Sequence, residues 1–328
     1  MSAPEQPDVR EQPGGPADAP PLARSTLDRA AEHRTDDEWL AAAWSRGLVL
    51  PVDLSKGGRA PVTDGPAGLA LVLLPSAEAS AEVEHWFLGV DVDGTPLWTI
   101  DAPLSDVDGV RAATLRDIGH LLDDRDAGVF TTAVALGNWH RSHLFSPRTG
   151  LPTTVVEAGW ARRDTEGNLM WPRTDPAMIV LVHDGVEGPE GRCLLGHNAA
   201  WGRAADGGLR FSCLAGYVEP GESAEASVAR EVGEEVGLDL SSLHYAGSQS
   251  WPFPGSLMLG FHATADPAQE IRLDPAEIDE AHWFTRDDVA KMIAGDYHQP
   301  ESGISMGLPM PSSIAFYLIE RWLGGFAR

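Results

Sequence analysis

The order of apolar and polar positions divides the chain into stretches of different character. Residues 1–25, rich in Pro, Gly and Ala, have almost nothing to bury and predict a disordered tail. Across 26–140 the signals are mixed and predict one folded domain. GLALVLLP (Gly68 to Pro75) is a short apolar run with breakers at both ends, which predicts a buried strand. HWFLGVDVDGTPLWTI predicts a hairpin turning at Asp93-Gly94; its DVDG fragment resembles the opening of a calcium loop but lacks the later ligands, so a plain turn is expected. AGVFTTAVALGNWH has helical apolar spacing and closes this domain. Residues 141–175 read as short strands and turns. AMIVLVHDG and RCLLGHN predict a strand pair that opens a further domain over 176–328, and no internal repeat is visible.

The segment GYVEPGESAEASVAREVGEEVGL (Gly216 to Leu238) carries the clearest periodicity. Its glycines and proline through Gly221 make a loop, and a helix is predicted from an N-cap at Ser223 to a C′ glycine at Gly237. Val228, Val232 and Val236 recur every four residues as an apolar stripe. Glu231, Glu234 and Glu235 fall on one flank of it, and Arg230 is placed to pair with Glu234 one turn on. Like charges so spaced cost about 0.2–0.5 kcal/mol per pair in an isolated helix. A solvated acidic face is the plain alternative. Against it, the carboxylates sit beside the core stripe and a glycine-bearing loop leads straight into them. Hard cations such as Mg²⁺ or Mn²⁺ take carboxylate oxygens and bridge to substrate phosphates.

A second unusual stretch follows, SQSWPFPGS (Ser248 to Ser256). Pro252 and Pro254 each remove a ladder donor, so a rigid aromatic loop is expected rather than a central strand. A backbone fixed in this way costs little entropy to order on binding. Gln249 and Ser256 offer polar contacts to a nucleotide; the alternative is a Pro-rich surface turn over buried aromatics.

Charge narrows the functional classes. A net charge of −25 over 328 residues argues against a broad phosphate-backbone surface and against anionic membranes. No stretch approaches the ~18 apolar residues of a membrane span, and the N-terminus has no apolar signal core, so a cytoplasmic protein is expected. Cys193 and Cys213 are too few for a disulfide framework or a four-cysteine zinc site, and their apolar surroundings predict buried thiols.

Gly216, Glu222, Arg230, Glu231, Val232, Glu234, Glu235, Gly237 and Leu238 fill every fixed position of G-x5-E-x7-R-E-U-x-E-E-x-G-U, where U is aliphatic. The segment thereby resembles the Nudix box, whose bearers hydrolyse a diphosphate linked to a second group X using divalent cations. The resemblance implies metal ligands at Glu231 and Glu235, with Glu234 as a further ligand or helper. It also implies a backbone ligand at Ala215, another carboxylate ligand at Glu277, and Arg230 as the residue that orients the glutamates. SQSWPFPGS resembles the S-Q-P-W-P-F-P-x-S signature of the NADH pyrophosphatase branch, with Ser250 in place of a proline. The branch implies substrate contacts at Gln249, Ser250, Trp251, Pro252, Phe253, Pro254, Gly255 and Ser256. It further implies contacts at Tyr217 (often phenylalanine in the branch), Glu157, Trp171 and the backbone of Ala315. Arg141–Phe145 is similar to the entry of the branch's zinc ribbon, but its cysteine positions fall on Ser146, Thr149 and residues near Arg163 and Glu166, so 141–175 is expected to be a zinc-free remnant. Leu151, Val155, Val156, Trp160, Leu169 and Trp171 are the apolar candidates to replace the metal as a small core.

The fold so implied is a Nudix α/β/α sandwich with a mixed sheet, preceded by a smaller α+β domain and the ribbon remnant. The implied activity is Mg²⁺- or Mn²⁺-dependent hydrolysis of NADH or NAD⁺ to the nicotinamide mononucleotide and AMP, with NAD-capped RNA as a further substrate and a homodimer as the assembly. Two alternatives remain at this level: a different X, such as ADP-ribose or a dinucleoside polyphosphate, and a Nudix-fold nucleotide sensor without turnover.

Overall fold

The computed structural model describes residues 19–66, 68–79, 83–204, 207–299 and 303–325. The N-terminal part contains helix α1 (Asp37–Ser45) and strands β1 (Leu48–Val52), β2 (Arg59–Gly65), β3 (Gly68–Leu71), β4 (Leu74–Pro75), β5 (His85–Val90), β6 (Pro96–Asp101) and β7 (Arg111–Thr114), then α2 (Leu115–Ile118) and α3 (Asp124–Ser142). They form a four-stranded sheet in the order β4-β1-β6-β5 and a three-stranded sheet β3-β2-β7. The β5–β6 hairpin turns at Asp91–Thr95, with Gly94 at φ +86, as its Asp-Gly signal predicts. The run Gly68–Pro75 is not one buried strand. It divides into β3 and β4, which join different sheets, and Leu71 alone among its residues is fully buried. α3 is enclosed nearly all round by the sheets and the segments that follow it, which explains its apolar content.

Of the tail expected over residues 1–25, only residues 19–25 are described, and these are packed. Residues 1–18 lie outside the described residues. From there the chain docks: Leu22 is buried in the N-terminal core, and its N–H donates to Gln249 Oε1 at 3.0 Å. Arg24 donates to the Leu122 carbonyl at 3.0 Å and pairs with Asp124 at 3.1 Å. One apolar side chain and one arginine thus hold a segment whose composition alone reads as unfolded.

The middle segment forms a small sheet of β8 (Thr153–Val156), β9 (Ala161–Asp164) and β10 (Leu169–Met170), ordered β10-β9-β8. Its cohesion is polar, which corrects the expectation of a small apolar core. Asp164 is buried and accepts from Thr149 Oγ1 (2.9 Å), Glu166 N (3.0 Å), Asn168 N (2.9 Å) and Asn168 Nδ2 (3.0 Å). Burial alone would raise its carboxyl, but the bonds from Asn168, Thr149 and Glu166 outweigh burial and hold it at about 2. Buried Ser146 accepts from Gly150 N through its carbonyl and from Thr149 N through its hydroxyl. Of the six apolar candidates, Val155 and Trp160 pack on the N-terminal core instead, and Trp171 is 58% exposed. The sheet is tied to α3 by His140, whose Nε2 donates to the Gly159 carbonyl (2.9 Å) while Nδ1 accepts from Arg162 (3.0 Å). Burial, reinforced by Arg162, pushes His140 down to about 3 and fixes it as the neutral ring these bonds need.

The C-terminal part is built around β11 (Asp175–His183), followed by β12 (Arg192–Asn198), β13 (Leu209–Arg210), β14 (Leu214–Tyr217), α4 (Ala224–Val236), β15 (Leu240–Trp251), β16 (Ser256–Ala265), β17 (Ile278–Thr285), α5 (Arg286–Ala294), β18 (Met306–Gly307) and α6 (Ile314–Leu323). The sheet runs β15-β16-β11-β12-β17, with β14 also on β11; β11 is parallel to β16 and antiparallel to β12 and β14. Strand alternation distributes the apolar run of β11 to two cores. Met178, Val180 and Val182 pack with α4, while Ile179 and Leu181 pack with α5 and α6. Cys193 and Cys213 are buried, unpaired thiols, pushed up by burial.

Because Asp164 is held near 2 against an ordinary 3.8, its contribution to stability is complete above about pH 4 and disappears as pH falls towards 2. Thermal unfolding of Asp164→Ala should therefore lack part of the wild-type decline across this window. Amide exchange in the variant should rise over 146–170 and not in the six-stranded sheet. A strong chelator should leave the far-ultraviolet circular dichroism unchanged; chelator-induced loss of strand signal would show that a metal does the work assigned to Asp164.

Candidate functional site

The phase of α4 is set by its valines. Val228, Val232 and Val236 are fully buried against the sheet, so Glu231 and Glu235, each one position earlier, lie at the edge of that contact rather than in open solvent. Ser223 caps the helix by accepting from Ala226 N, and Gly237 ends it at φ +71, as the sequence predicts. Glu231, Glu235 and Glu277 each offer a carboxylate oxygen, all within 4.8 Å of one another. Glu277 is brought in by the turn at Asp274, which is itself tied to the end of the helix: Asp274 N donates to the Glu235 carbonyl at 3.1 Å. Gly216 completes the enclosure. A Cβ at that position would lie 2.1 Å from the Glu231 carboxylate, so only glycine leaves that carboxylate in its place against β14.

The electrostatics of this cluster are unfavourable without a cation. Glu235 is 2% exposed and its Oε2 has no hydrogen-bond partner. Burial, then the charges of Glu231 and Glu277, push its carboxyl up to about 8. Burial also raises Glu231, with Arg230 opposing the shift.

Arg230 acts as a clasp on this arrangement. Its guanidinium donates to both oxygens of Glu222 (2.7 and 2.9 Å), to the Tyr217 carbonyl (3.0 Å) and to Glu234 (2.9 Å), and lies 2.9 Å from Glu231. It fastens the glycine loop to the helix and orients Glu231. Glu234 is its partner on the solvent side, with a side chain 59% exposed, and stands outside the carboxylate cluster. Glu222, with no role assigned from sequence, is the main anchor of the clasp.

SQSWPFPGS is not wholly a loop. Ser248–Trp251 end β15, Ser256 begins β16, and only Pro252–Gly255 turn between them. The prolines are tolerated because the tip of a hairpin needs no ladder donors from them. Trp251 and Phe253 meet edge to face at 5.0 Å and pack on the N-terminal core. Asn138 Nδ2 donates to the Pro252 carbonyl at 2.7 Å, so the tip is also held by α3. Gln249 is committed within the protein: it is 1% exposed, and its amide accepts from Leu22 N and donates to the Ser312 carbonyl at 3.0 Å.

A cavity of about 320 Å³ brings Ala215, Trp251 and Ala315 together with Arg116 and Met258. Ala315 is in the first turn of α6, and Ala215 adjoins Gly216, so this cavity and the carboxylates meet on β14. Tyr217, two residues along the same strand face and 57% exposed, places its hydroxyl 3.5 Å from Ser256 Oγ. Arg116 was not found from sequence. It comes from α2 of the N-terminal part, with its guanidinium 4.2 Å from the Phe253 ring centre and 5.6 Å from that of Trp251. No local pattern marks it, since its meaning depends on a hairpin over 130 positions away in the chain. Glu157 and Trp171 are not brought to this cavity: Glu157 lines a cleft with Arg34, Trp44 and His85, and Trp171 one with Arg148 and Asn168.

Comparison with known proteins agrees with this geometry. Residues 174–301 match the NUDIX domain, and residues 37–139 match the NADH pyrophosphatase-like rudimentary NUDIX domain, a kinship that no visible repeat reveals. The chain is similar to the NAD-capped RNA hydrolase NudC of Mycobacterium tuberculosis, 42% identical over 92% of this chain and 94% of that one. It is also similar to the human mitochondrial NAD(P)H pyrophosphatase NUDT13, 37% identical over 74% of this chain and 69% of that one. The chain belongs to the Nudix hydrolases, in their NADH pyrophosphatase branch. In Nudix terms the clasp, the glycine contact and the carboxylate cluster are all parts of one box, and Glu277 joins them from outside it. The residues present fit the divalent cation on which the family typically depends. The lone buried oxygen of Glu235 and the mutual repulsion of three carboxylates are both relieved by a hard dication.

Glu235→Gln is expected to leave the metal-free protein at least as stable as wild type in a chelator, because it replaces a carboxyl whose ionisation burial and its neighbours already oppose and removes no packing. The same substitution should weaken Mn²⁺ binding by at least about 10–100-fold, the scale on which groups around a metal act. Calorimetric titration and thermal unfolding, run side by side, check both outcomes.

Proposed function

We propose that this enzyme hydrolyses the diphosphate of NADH and NAD⁺, giving the nicotinamide mononucleotide and AMP, and that it also removes NAD caps from RNA 5′ ends in the cytoplasm. The observation that carries this reading is the meeting of two features at Ala215 and Gly216: a carboxylate cluster built for a cation, and an aromatic, arginine-bearing cavity beside it. The two relatives support it, since one is named for NAD-capped RNA and the other for NAD(P)H.

Mg²⁺ or Mn²⁺ bound by Glu231, Glu235, Glu277 and the Ala215 carbonyl would neutralise the diphosphate and activate a water for attack at phosphorus. The chain's own groups prepare this step. Arg230 fixes Glu231 and holds the glycine loop in place. Trp251, Phe253 and Tyr217 present ring faces and edges to a base or nicotinamide. Arg116, poised over Phe253 without a carboxylate partner among the described residues, is placed for a phosphate oxygen or a stacked ring. Pro252 and Pro254 hold the tip stiff, and Ser256 joins Tyr217. Ser250, Pro254 and Gly255 face the other side of the hairpin. Glu157 and Trp171 reach a substrate in this reading only from a second copy of the chain, consistent with a homodimer. The degenerate ribbon carries no zinc in this reading.

Chromatographic product analysis with NADH, NAD⁺, ADP-ribose and NAD-capped RNA, with and without Mg²⁺, tests the proposal. AMP and the nicotinamide mononucleotide should appear only with the cation, and ADP-ribose should be the poorest substrate; preferential cleavage of ADP-ribose would overturn the reading. Arg116→Ala should lower kcat/KM for NADH by about 10–100-fold, equivalent to about 1.4–2.8 kcal/mol of transition-state binding. Phe253 is a less clean probe because it also packs on the N-terminal core.

A further inference from the structure

Behind the hairpin tip lies a second and larger cavity, of about 540 Å³. It takes Ser248 and Ser250 from β15, whose side chains alternate with those of Gln249 and Trp251, so it lies on the opposite face of the hairpin from the substrate cavity. Its other walls are α3, the chain around Leu22–Arg29, and the linker Pro172–Asp175.

The polar groups of this cavity are donors in excess. Arg29 and Arg173 both line it, and neither has a carboxylate within ion-pair distance among the described residues; Arg29 donates to Thr132 Oγ1 at 2.8 Å. In a chain of net charge −25, two such guanidiniums in one cavity are a departure from the surroundings. Asp175 is the one carboxylate in the lining. Ser250, the position at which the hairpin motif departs from its usual proline, adds a hydroxyl to the same wall. Trp139 and Trp160 supply ring surface, and the Arg29 guanidinium lies 5.5 Å from the Trp160 ring centre.

We propose that this cavity is a second ligand site, for a phosphate monoester that carries a flat ring. The phosphate is held by Arg29 and Arg173, and the ring lies against Trp139 and Trp160. A cation or a neutral apolar ligand would leave the two guanidiniums unanswered. The volume suits a mononucleotide, which is the size class of ligand cavities. One wall is the back of the hairpin that lines the substrate cavity, so a ligand here braces Pro252–Gly255 from behind and alters the affinity for substrate by that route.

The test uses the full chain in a chelator, so that no cation occupies the carboxylates. Guanosine monophosphate and guanosine serve as probes, with binding followed by calorimetry and by tryptophan fluorescence. Guanosine monophosphate should bind, guanosine at least tenfold more weakly. Arg173→Ala, at an exposed side chain with no described bond to lose, should weaken guanosine monophosphate at least tenfold; Arg29→Lys, which keeps the charge but not the fork, should act in the same direction. Arg116→Ala should leave this binding unchanged. Absence of binding at millimolar probe overturns the proposal. So does loss of binding in Arg116→Ala but not in Arg173→Ala, which would place the probe in the substrate cavity. The outcome is separate from the reading of the reaction: a chain that binds the probe here and cleaves no NADH contradicts only the latter.

Discussion

Three carboxylates held within 4.8 Å, one of them buried with an unanswered oxygen, form an arrangement that a folded protein sustains only for a purpose. Much of the C-terminal architecture exists to keep it so. The valine stripe sets the rotation of α4, and the missing side chain at Gly216 leaves room for the Glu231 carboxylate against β14. Arg230 then prevents the cluster from relaxing, because swinging Glu231 outward would break a contact with a guanidinium already committed to Glu222, Glu234 and the Tyr217 carbonyl. The repulsion is thus stored against well-packed apolar contacts and becomes binding energy for a dication.

The N-terminal part is not a separate attachment to this centre. Its core accepts Trp251 and Phe253, its α2 sends Arg116 over them, and its buried Leu22 is tied to Gln249. A single hairpin tip therefore reports on both halves. Its conformation is set from one side by the N-terminal core and from the other by the cavity that holds Arg29 and Arg173. Substrate affinity in such an arrangement is a property of the joint and not of the box alone.

What was legible in the sequence was local. The caps at Ser223 and Gly237, the phase of the valines, the Asp-Gly hairpin and the spacing of the box all depend on residues within a few turns of one another, and the structure reproduces them. What was not legible depends on contacts that sequence spacing does not encode. Gln249 reads as a ligand contact until Leu22, 227 positions away, is seen to use its amide. Arg116 has no signature of its own. The compensation for the lost cysteines was sought among apolar residues, where pattern is readable, and is found in Asp164, whose bonds come from its own turn (Glu166 and Asn168) and from Thr149 in a separate turn, both of which composition renders as unremarkable loop.

That last substitution changes what the middle segment responds to. A thiolate–metal node is sensitive to the supply of zinc and to any oxidant that reaches its sulfurs. A node of one carboxylate, one hydroxyl and two residues' amides has neither dependence, and both cysteines of this chain lie elsewhere, buried in the C-terminal core. The ribbon sheet is held at this node by a carboxylate whose bonds a proton can break.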